Sequence, residues 1–567
     1  SRALPGSRAS RASRGLAAAA GAFPVASGAV PVSRHAARDP GVDPRDLRTS
    51  AARTFRRVER AFDRVLGAQA NPLRQLGGLA FDLFWLIAAT GAFLYVFYDT
   101  SADGAYASVE RMTSGVVVGG SFVRTLHRYA SDALVVVVAV HLLREWAYGR
   151  HRSFRWFTWL TGVPTPWLIL AAGGIGFWLV WDAVALFVAT TIAEWFGILP
   201  GFDAALVRNF VDAGAVSDRL FSLLIFLHIG VSLALLLAMW LHVKRLTQPR
   251  TNASRAVLLG TLAALSAASL LAAAPLPPPA DPSNLGAALA LDWFYLGPLA
   301  AIQATSPVLV WAAMIALTLL AAAAPWLTRR ARVRAPAALV DPEHCNGCQR
   351  CFADCPYAAI EMTPHPSGRG LLALVDADRC ASCGICAGAC PSSTPFRSDE
   401  RLATGIDLPD LGVGRLRDEL QARLAAHRGA APLVVFGCRY AASAAAADGV
   451  VPLVLPCAAM LPPSFVEYAL RNGARGVAVV SCPSDDCEYR FGAQWAAQRL
   501  AGEREPRLRA GAERERLRFV EAADEDLIAL QAQLANFRHD LDVLDRARSA
   551  TCRAFDPSME NRDGAVH

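Results

Sequence analysis

Long apolar runs fill the first part of this chain and restrict what it can fold into. Between residues 79 and 327 these runs recur, each near the ~20 residues that a helix needs to cross a bilayer. We predict six membrane spans: Leu79–Tyr98, Phe122–Trp146, Pro166–Trp181, Leu220–Leu241, Ala256–Ala274 and Thr305–Leu327. Ala183–Leu199 is apolar but short and carries Glu194, which predicts a helix along one face of the bundle. The pattern excludes a purely soluble, a fibrous and a mainly disordered protein.

The basic residues beside these runs predict the orientation. Six spans place both soluble ends on one side of the membrane. The basic flanks all fall on that same side: Arg53–Arg64, Arg144–Arg155, Lys244–Arg255 and Arg329–Arg334. The positive-inside rule makes that side the cytoplasm, so the loops 99–121, 182–219 and 275–304 are expected outside. The net charge of +7 then reflects membrane topology and predicts no nucleic-acid partner. We predict a multi-pass protein of a prokaryotic inner membrane, with both termini in the cytoplasm.

Two segments precede the first span. Residues 1–46 are rich in Ala, Ser, Arg and Pro, which predicts a disordered or targeting-like tail. From Arg48 to Leu66, apolar residues follow a helical spacing among arginines and acids. This spacing predicts an amphipathic helix on the membrane surface.

Four histidines lie inside the predicted spans or directly at their ends, where a polar side chain is a candidate for function. His127 and His141 are 14 residues apart on the second span, and His228 and His242 have the same separation on the fourth. That interval rises ~21 Å over almost four turns, so each helix presents one ring near each membrane face. We predict two stacked haems, the outer one bound by His127 and His228 and the inner one by His141 and His242.

Glycines repeat this interval. Gly77 and Gly91 flank and enter the first span, and Gly162 and Gly176 do the same around the third, again 14 residues apart. Glycine lets a flat macrocycle approach a helix backbone. These four residues are therefore expected to pack against the haems.

These segments resemble the b-type cytochrome of cytochrome bc and b6f complexes. The resemblance covers about residues 50–325 and rests on Arg124-x-x-His127, His141-Leu-Leu-Arg144, Gly176–Asp182 and Leu227-His228…His242. It implies a four-helix core with two b-type haems. It also makes Arg124 and Arg144 candidates for binding haem propionates, although both fit equally well as arginines of a membrane edge.

The resemblance further implies an outer quinol site, made by the loop after the third span and by a Pro-Glu-Trp-Tyr motif. The residues at these places are Trp181, Asp182, Asp292, Trp293 and Tyr295. Leu291 stands in place of the motif's proline and Phe294 in place of its tyrosine. Asp292 is the candidate acceptor of a quinol proton, and an ordinary interfacial residue is the alternative.

Eight of the 13 cysteines lie between residues 345 and 390, in two copies of a Cys-x-x-Cys-x-x-Cys-x-x-x-Cys-Pro run. This is the spacing of bacterial two-cluster ferredoxins, in which the last cysteine of each run ligates the other cluster. One 4Fe–4S cluster is expected on Cys345, Cys348, Cys351 and Cys390, and a second on Cys380, Cys383, Cys386 and Cys355. Structural zinc is the alternative.

A third cysteine group follows short apolar runs near the end of the chain. Pro432–Phe436, Val450–Leu455 and Val477–Val480 predict buried strands, alternating with helices such as Pro463–Asn472. Cys438, Cys457 and Cys482 end these strands, where the carboxyl edge of a parallel sheet gathers ligands, and Cys487 follows. Buried inert cysteines are the alternative.

The same region resembles the delta subunit of methyl-viologen-reducing hydrogenase. The resemblance rests on Phe436-Gly-Cys438-Arg-Tyr440, Cys457 and Cys482-x4-Cys487-Glu-Tyr489. It implies a 2Fe–2S cluster and electron transfer to a flavoprotein of the heterodisulfide-reductase type. A family cysteine before Cys438 is missing, and Pro483 replaces a histidine.

Together these features predict a mainly α transmembrane bundle, a ferredoxin-like α+β domain and a small α/β iron–sulfur domain. The expected boundaries are 1–46 for the tail, 47–335 for the membrane domain, 336–398 for the ferredoxin domain, 399–430 for a linker, 431–550 for the hydrogenase-delta-like domain and 551–567 for a second tail.

The expected function is that of a membrane subunit of a quinone-linked oxidoreductase complex. It would carry electrons between quinone, two b haems, two 4Fe–4S clusters, a 2Fe–2S cluster and a cytoplasmic oxidoreductase. Lipid, quinone and a flavoprotein are the expected partners, and a homodimer is an open alternative to the monomer. The other readings are a passive membrane anchor whose haems lie off the electron path, and an atypical quinol:cytochrome c subunit.

Overall fold

The computed structural model describes most of the chain. The described residues are 47–200, 216–281, 292–327, 335–368, 370–396, 402–427, 429, 431–438, 449–522 and 527–554. The predicted tail 1–46, Leu291, the basic flank Arg329–Arg334 and Arg439–Tyr440 lie outside these residues, as does most of the second tail.

The first half of the described chain is helical. Its helices are α1 Leu47–Leu66, α2 Leu76–Phe97, α3 Gly104–Thr113, α4 Gly120–Ala147, α5 Trp156–Gly162, α6 Thr165–Val180, α7 Ala183–Gly197, α8 Asp218–Val243, α9 Arg255–Leu271, α10 Gly297–Ala304 and α11 Pro307–Leu327. α7, in the run predicted to lie along one face, has 15 residues. Pro164 stands in the break between α5 and α6, since proline cannot donate to the helix ladder.

Five helical segments of the described residues are long and apolar enough to cross a membrane. They are Leu76–Phe97, Gly120–Ala147, Ser153–Val180, Asp218–Val243 and Pro307–Leu327. The fifth predicted span, Ala256–Ala274, is not among them, because it forms α9, a helix of 17 residues. A helix of that length rises ~25 Å, less than the ~30 Å hydrocarbon core of a bilayer.

α9 nevertheless runs beside α2 and α4 from one end to the other. Before its first residue, Asn252 Nδ2 and the amide of Ala253 donate to Asp82 of α2 over 2.8 and 2.9 Å. After its last residue, the carbonyl of Ala272 accepts a 2.7 Å hydrogen bond from Tyr129 of α4. These contacts tie α9 to the opposite ends of the bundle.

Two helix pairs enclose the core of the bundle. α2 packs along α4, and α6 packs along α8. Leu83, Ala130, Ile169 and Leu235, one from each of these helices, are buried together between them. α1 is attached to the end of α4 through its buried Glu59, which accepts hydrogen bonds from Arg144 and Tyr148.

The ferredoxin-like region contains two short antiparallel sheets. β1 Leu339–Val340 pairs with β4 Ile406–Asp407, and β2 Ile360–Pro364 pairs with β3 Leu371–Val375. Two short helices, α12 Arg350–Ala353 and α13 Ile385–Ala389, follow the cysteine turns.

The last region is the predicted α/β unit. Its four strands, all parallel, have the order β6 Val450–Leu455, β5 Leu433–Cys438, β7 Gly476–Ser481 and β8 Leu517–Glu521. Its helices are α14 Val413–Ala426, α15 Ser464–Arg471, α16 Gly492–Ala501 and α17 Leu527–Ala554.

The two soluble regions share one hydrophobic core. Ile385 of the ferredoxin-like region is buried with Phe436 and Leu453 of the sheet, and Leu416 and Leu420 of α14 join them. The segment 399–430, expected to be a linker, therefore contributes β4 and α14 to this core in its described part.

Candidate functional site

The structure sets each of the four predicted haem-ligand histidines against one of the four predicted glycines. A methyl group on the glycine would lie between 2.9 and 3.7 Å from Cε1 of the facing imidazole ring. The pairs are Gly77 with His141, Gly91 with His127, Gly162 with His242 and Gly176 with His228. Each helix pair thus presents two rings, one at each level of the bundle.

The outer rings are oriented by backbone carbonyls of the facing helix. His127 Nδ1 lies 3.1 Å from the carbonyl of Ile87, and His228 Nδ1 lies 3.0 Å from that of Ala172. Both carbonyls belong to the residue four positions before the facing glycine. A hydrogen bond from Nδ1 leaves Nε2 as the ligating nitrogen, as in many metal-binding histidines.

At the other level, the rings of His141 and His242 face each other with their centroids 6.5 Å apart at an angle of 78°. Because a metal–imidazole bond is about 2 Å long, this separation accommodates one metal ion between the rings. The donor set, two imidazoles beside two glycines, fits a b-type haem.

A matched pair of glycines in α6 tests this packing. A methyl on Gly176 would lie 3.2 Å from His228 Cε1, whereas one on Gly174 would meet nothing within 4 Å. Overpacking of this kind costs about 1–3 kcal/mol, more than the gain in helix propensity of about 1 kcal/mol. We expect Gly176→Ala to lower the haem content of the purified protein and Gly174→Ala to leave it unchanged; equal haem in both variants would contradict the packing.

The two arginines predicted to bind propionates already have protein partners. Arg124 donates to the carbonyls of Ala274 and Pro275, both over 2.9 Å. Arg144 is buried and donates to Glu59 over 2.6 Å. A propionate role for either residue stays a prediction.

The predicted quinone-site residues fall into two groups. Asp292 forms an ion pair with Arg128 of α4, and the hydroxyl of Tyr295 donates to the carbonyl of Ser131 over 2.9 Å. Arg128 also lies 3.3 Å from Asp132, so two carboxylates share one guanidinium. Trp293 belongs to the same segment and is 81% exposed.

The second group has a structural role. Asp182 caps α7 by accepting a 2.8 Å hydrogen bond from the amide of Ala185, and Trp181 packs edge-on against Phe221. The carbonyl of Trp181 accepts from the amide of Ala280. These contacts fix the start of α7, and a quinone-site role for Trp181 or Asp182 stays a prediction.

Sequence reasoning missed Arg128 and Asp132. Both are ionisable residues inside a predicted span, at positions four apart, and such residues are functional candidates by default. That signal was available, whereas the pairing of Arg128 with Asp292, 164 residues away, required the fold.

The eight cysteines of the ferredoxin-like region line two separate cavities. Cys345, Cys348, Cys351 and Cys390 line one, together with Met362 and Ile406. Cys355, Cys380, Cys383 and Cys386 line the other, together with Tyr357 and Ile385. Each cavity combines three cysteines of one run with the last of the other, as the spacing predicts for two 4Fe–4S clusters.

These thiols suit ligation to iron. Thiolate sulfur is the ligand that iron–sulfur clusters take from proteins, and burial raises the pKa of the Cys351 thiol to about 12. No three His, Cys, Asp or Glu side chains in the described chain are grouped around the position of a single metal ion.

The third cysteine group gathers at the carboxyl edge of the parallel sheet, as predicted. Cys438, Cys482 and Cys487 are buried together, and a methyl on Gly492 would collide with the sulfur of Cys457. The Cys482 thiol and the amide of Ala493 hydrogen-bond to the Cys487 sulfur and lower its pKa below the ordinary value. The four sulfurs therefore lie within one site, which we call the third cysteine site.

Three family models match the chain. Residues 63–249 match cytochrome b/b6/petB, residues 344–394 match the 4Fe-4S dicluster domain, and residues 433–545 match the delta subunit of methyl-viologen-reducing hydrogenase. Cytochrome b6 of Chlamydomonas reinhardtii is 30% identical over 152 residues, which cover 26% of this chain and 70% of that protein. The chain belongs to the cytochrome b/b6 family.

Other relatives match a similar stretch. Cytochrome b of Rhodospirillum rubrum is 30% identical over 184 residues, covering 32% of this chain and 45% of that protein. A chain titled hyperthermophilic respiratory Complex III has a TM-score of 0.38 and 18% identity, covering 44% of this chain and 74% of that chain.

All three resemblances predicted from the sequence are thus confirmed. The cytochrome b/b6 domain implies b-type haem in the bundle, and the dicluster domain implies iron–sulfur clusters beside it. With several helices long enough to span, this cytochrome b/b6 relative is a multi-pass membrane protein.

Proposed function

We propose that this chain is the membrane electron-transfer subunit of a quinone-linked oxidoreductase complex. The observation that carries the proposal is the matching of four histidines with four glycines in a bundle joined to three cysteine sites. We infer two b haems, two 4Fe–4S clusters and a 2Fe–2S cluster in the third cysteine site. When bound, these groups supply one-electron redox centres.

The protein's own residues position and insulate these centres. The glycines keep space beside the imidazoles, and the carbonyls of Ile87 and Ala172 orient two of the rings. Asp292, held by Arg128 and adjacent to the exposed Trp293, is our candidate for accepting a quinol proton.

We also propose that the soluble regions lie in the cytoplasm. α1, the connection after α4 and the connection after α8 all carry arginines. The hydrogen bond from Tyr148 to Glu59 joins the first two. The course of α9 along the bundle supports a sixth crossing, despite its 17 residues. The match to the hydrogenase delta subunit supports a cytoplasmic flavoprotein partner.

An anaerobic optical spectrum of the detergent-solubilised chain, recorded before and after a short-chain quinol, tests the proposal. Two b haems that quinol reduces would support the quinone end of the path. Haems that only dithionite reduces would favour electron entry from the cytoplasm, and no haem at all would overturn the proposal. Haems that exchange electrons with neither quinol nor the clusters would support the alternative function, that of a passive membrane anchor.

Asp292→Asn tests the quinol site. The amide keeps the size of the side chain but cannot accept a proton, and general-base catalysis contributes about 100-fold or more. We expect quinol-driven haem reduction to slow by about that factor, while reduction by dithionite is unchanged. Asp103→Asn, which alters an exposed carboxylate in the loop after α2, is the control and should react like the wild type.

A further inference from the structure

The segment Cys482–Arg490, which we call the docking loop, lies against the ends of the membrane helices. It contains two cysteines of the third cysteine site. The connections that it contacts, residues 148–155 and 244–250, follow α4 and α8. These are the two helices that carry His141 and His242.

A row of charged side chains joins the inner histidine level to this loop. Glu145 lies one helical turn after His141 and is 3.3 Å from Arg150. Arg150 in turn forms an ion pair with Asp486, the residue immediately before Cys487. Arg144 also approaches Asp486, at 3.7 Å. Both arginines are largely shielded from solvent, which limits screening of these pairs by salt.

Backbone and aromatic contacts hold the same loop. Arg155 donates to the carbonyl of Glu488, and Arg490 donates to the carbonyl of Thr247 over 2.6 Å. Phe154 stacks on Tyr489, with ring centroids 6.1 Å apart and planes at 25°. Charged, polar and apolar contacts therefore converge on one nine-residue loop.

The second ferredoxin cavity, lined by Cys355, lies beside this interface. The carbonyl of Pro356 accepts hydrogen bonds from Arg490 over 2.8 Å and from the amide of Thr247 over 3.1 Å. Tyr357 packs against Phe154 with centroids 4.7 Å apart. Pro356 and Tyr357 are the two residues that follow Cys355 in the sequence.

The second ferredoxin cavity also adjoins the third cysteine site. Ile385, which lines that cavity, would be 3.7 Å from a methyl on Gly492, the glycine that lies against Cys457. The first ferredoxin cavity, lined by Cys345, Cys348, Cys351 and Cys390, is more open to solvent at one of its cysteines. Its Cys348 is exposed.

We propose that the third cysteine site and the second ferredoxin site face the inner haem site, and that the first ferredoxin site lies farthest from the membrane. This inference rests on the proposed function and revises the expected order, in which the 2Fe–2S site came last before the partner. Each transfer moves one electron, so the donor site is oxidised by one and its neighbour reduced by one, without a change in bonds or protons. Arg150 is a positioning residue that holds the docking loop through Asp486.

Hydrogen–deuterium exchange of the full-length protein in detergent tests the docking. Asp486→Asn removes the charge that Arg150 binds, whereas Asp485→Asn makes the same change at an exposed neighbour. We expect Asp486→Asn to raise exchange several-fold in residues 148–155, whose sequence it leaves intact, and Asp485→Asn to have no effect. Equal exchange in both variants would overturn the proposal.

Arg150→Gln separates docking from damage to the third cysteine site. This substitution lies far from any cysteine in the sequence, and iron is quantified in every preparation. We expect it to raise exchange several-fold in the docking loop, whose sequence it leaves intact, with full iron content. The effect in the double variant should be smaller than the sum of the two single effects, since both substitutions remove the Arg150–Asp486 pair. A rise only in Asp486→Asn, with iron loss, would contradict the positioning role.

Spin relaxation tests the order of the sites. An oxidised inner haem is paramagnetic and speeds relaxation of nearby reduced clusters, so power saturation of each cluster signal is compared with that in His242→Ala. We expect the largest effect on the 2Fe–2S and second 4Fe–4S signals, and the reverse ranking would overturn the order. Neither hydrogen–deuterium exchange nor spin relaxation uses quinol. If these measurements showed the docked loop but quinol did not reduce the protein, only the proposed function would be overturned.

Discussion

Replacing His141 with alanine is expected to remove one haem and leave the other in place. The proposed inner haem needs both His141 and His242, because each supplies one axial nitrogen. We therefore expect His141→Ala and His242→Ala each to lower haem per chain by about half, and the double variant to lose no more than either single one. A pyridine haemochrome assay with iron analysis measures this directly.

A crossed pair of substitutions gives the control. His141→Ala combined with His228→Ala removes one ligand from each proposed haem, so both haems should be lost. If this double variant kept as much haem as the double variant at the inner level, the assignment of the four histidines to two levels would be wrong. The cysteine sites lie outside the bundle, so the non-haem iron content should be unchanged in all of these variants.

Local patterns predicted much of the candidate site. The 14-residue interval brought each histidine to a level of the bundle that the facing glycine also reaches, because a helix repeats its geometry regularly. The ends of β5, β6 and β7 brought Cys438, Cys457 and Cys482 to one edge, because parallel strands share their direction. The first result follows from the helix repeat, and the second from the common direction of the strands.

Local patterns could not predict the contacts between segments that lie far apart in the sequence. The pairing of Arg150 with Asp486 spans 336 residues, and no local spacing predicts which acid an arginine will reach. β8 was missed because Arg518 and Glu521 interrupt its short apolar run. The predicted length of the fifth span, Ala256–Ala274, was too great because the apolar composition continues past Leu271, where the helix ends.

Replacing Cys355 with serine is expected to abolish the cluster of the other cysteine run. Cys355 belongs to the first run in sequence, yet it lines the cavity of Cys380, Cys383 and Cys386. A 4Fe–4S cluster needs all four thiolates in the ordinary case, so Cys355→Ser should lower non-haem iron by about four atoms per chain. The lost electron paramagnetic resonance signal should be the one that Cys380→Ser also removes.

Cys390→Ser is the matched substitution, since Cys390 occupies the corresponding place in the second run and lines the cavity of Cys345. It should remove the signal that Cys345→Ser removes and leave the Cys355 signal intact. If Cys355→Ser and Cys345→Ser removed the same signal instead, each run would bind its own cluster. The second ferredoxin site would then no longer be joined to the membrane through Pro356, and the proposed order of the sites would lose one of its two contacts with the bundle.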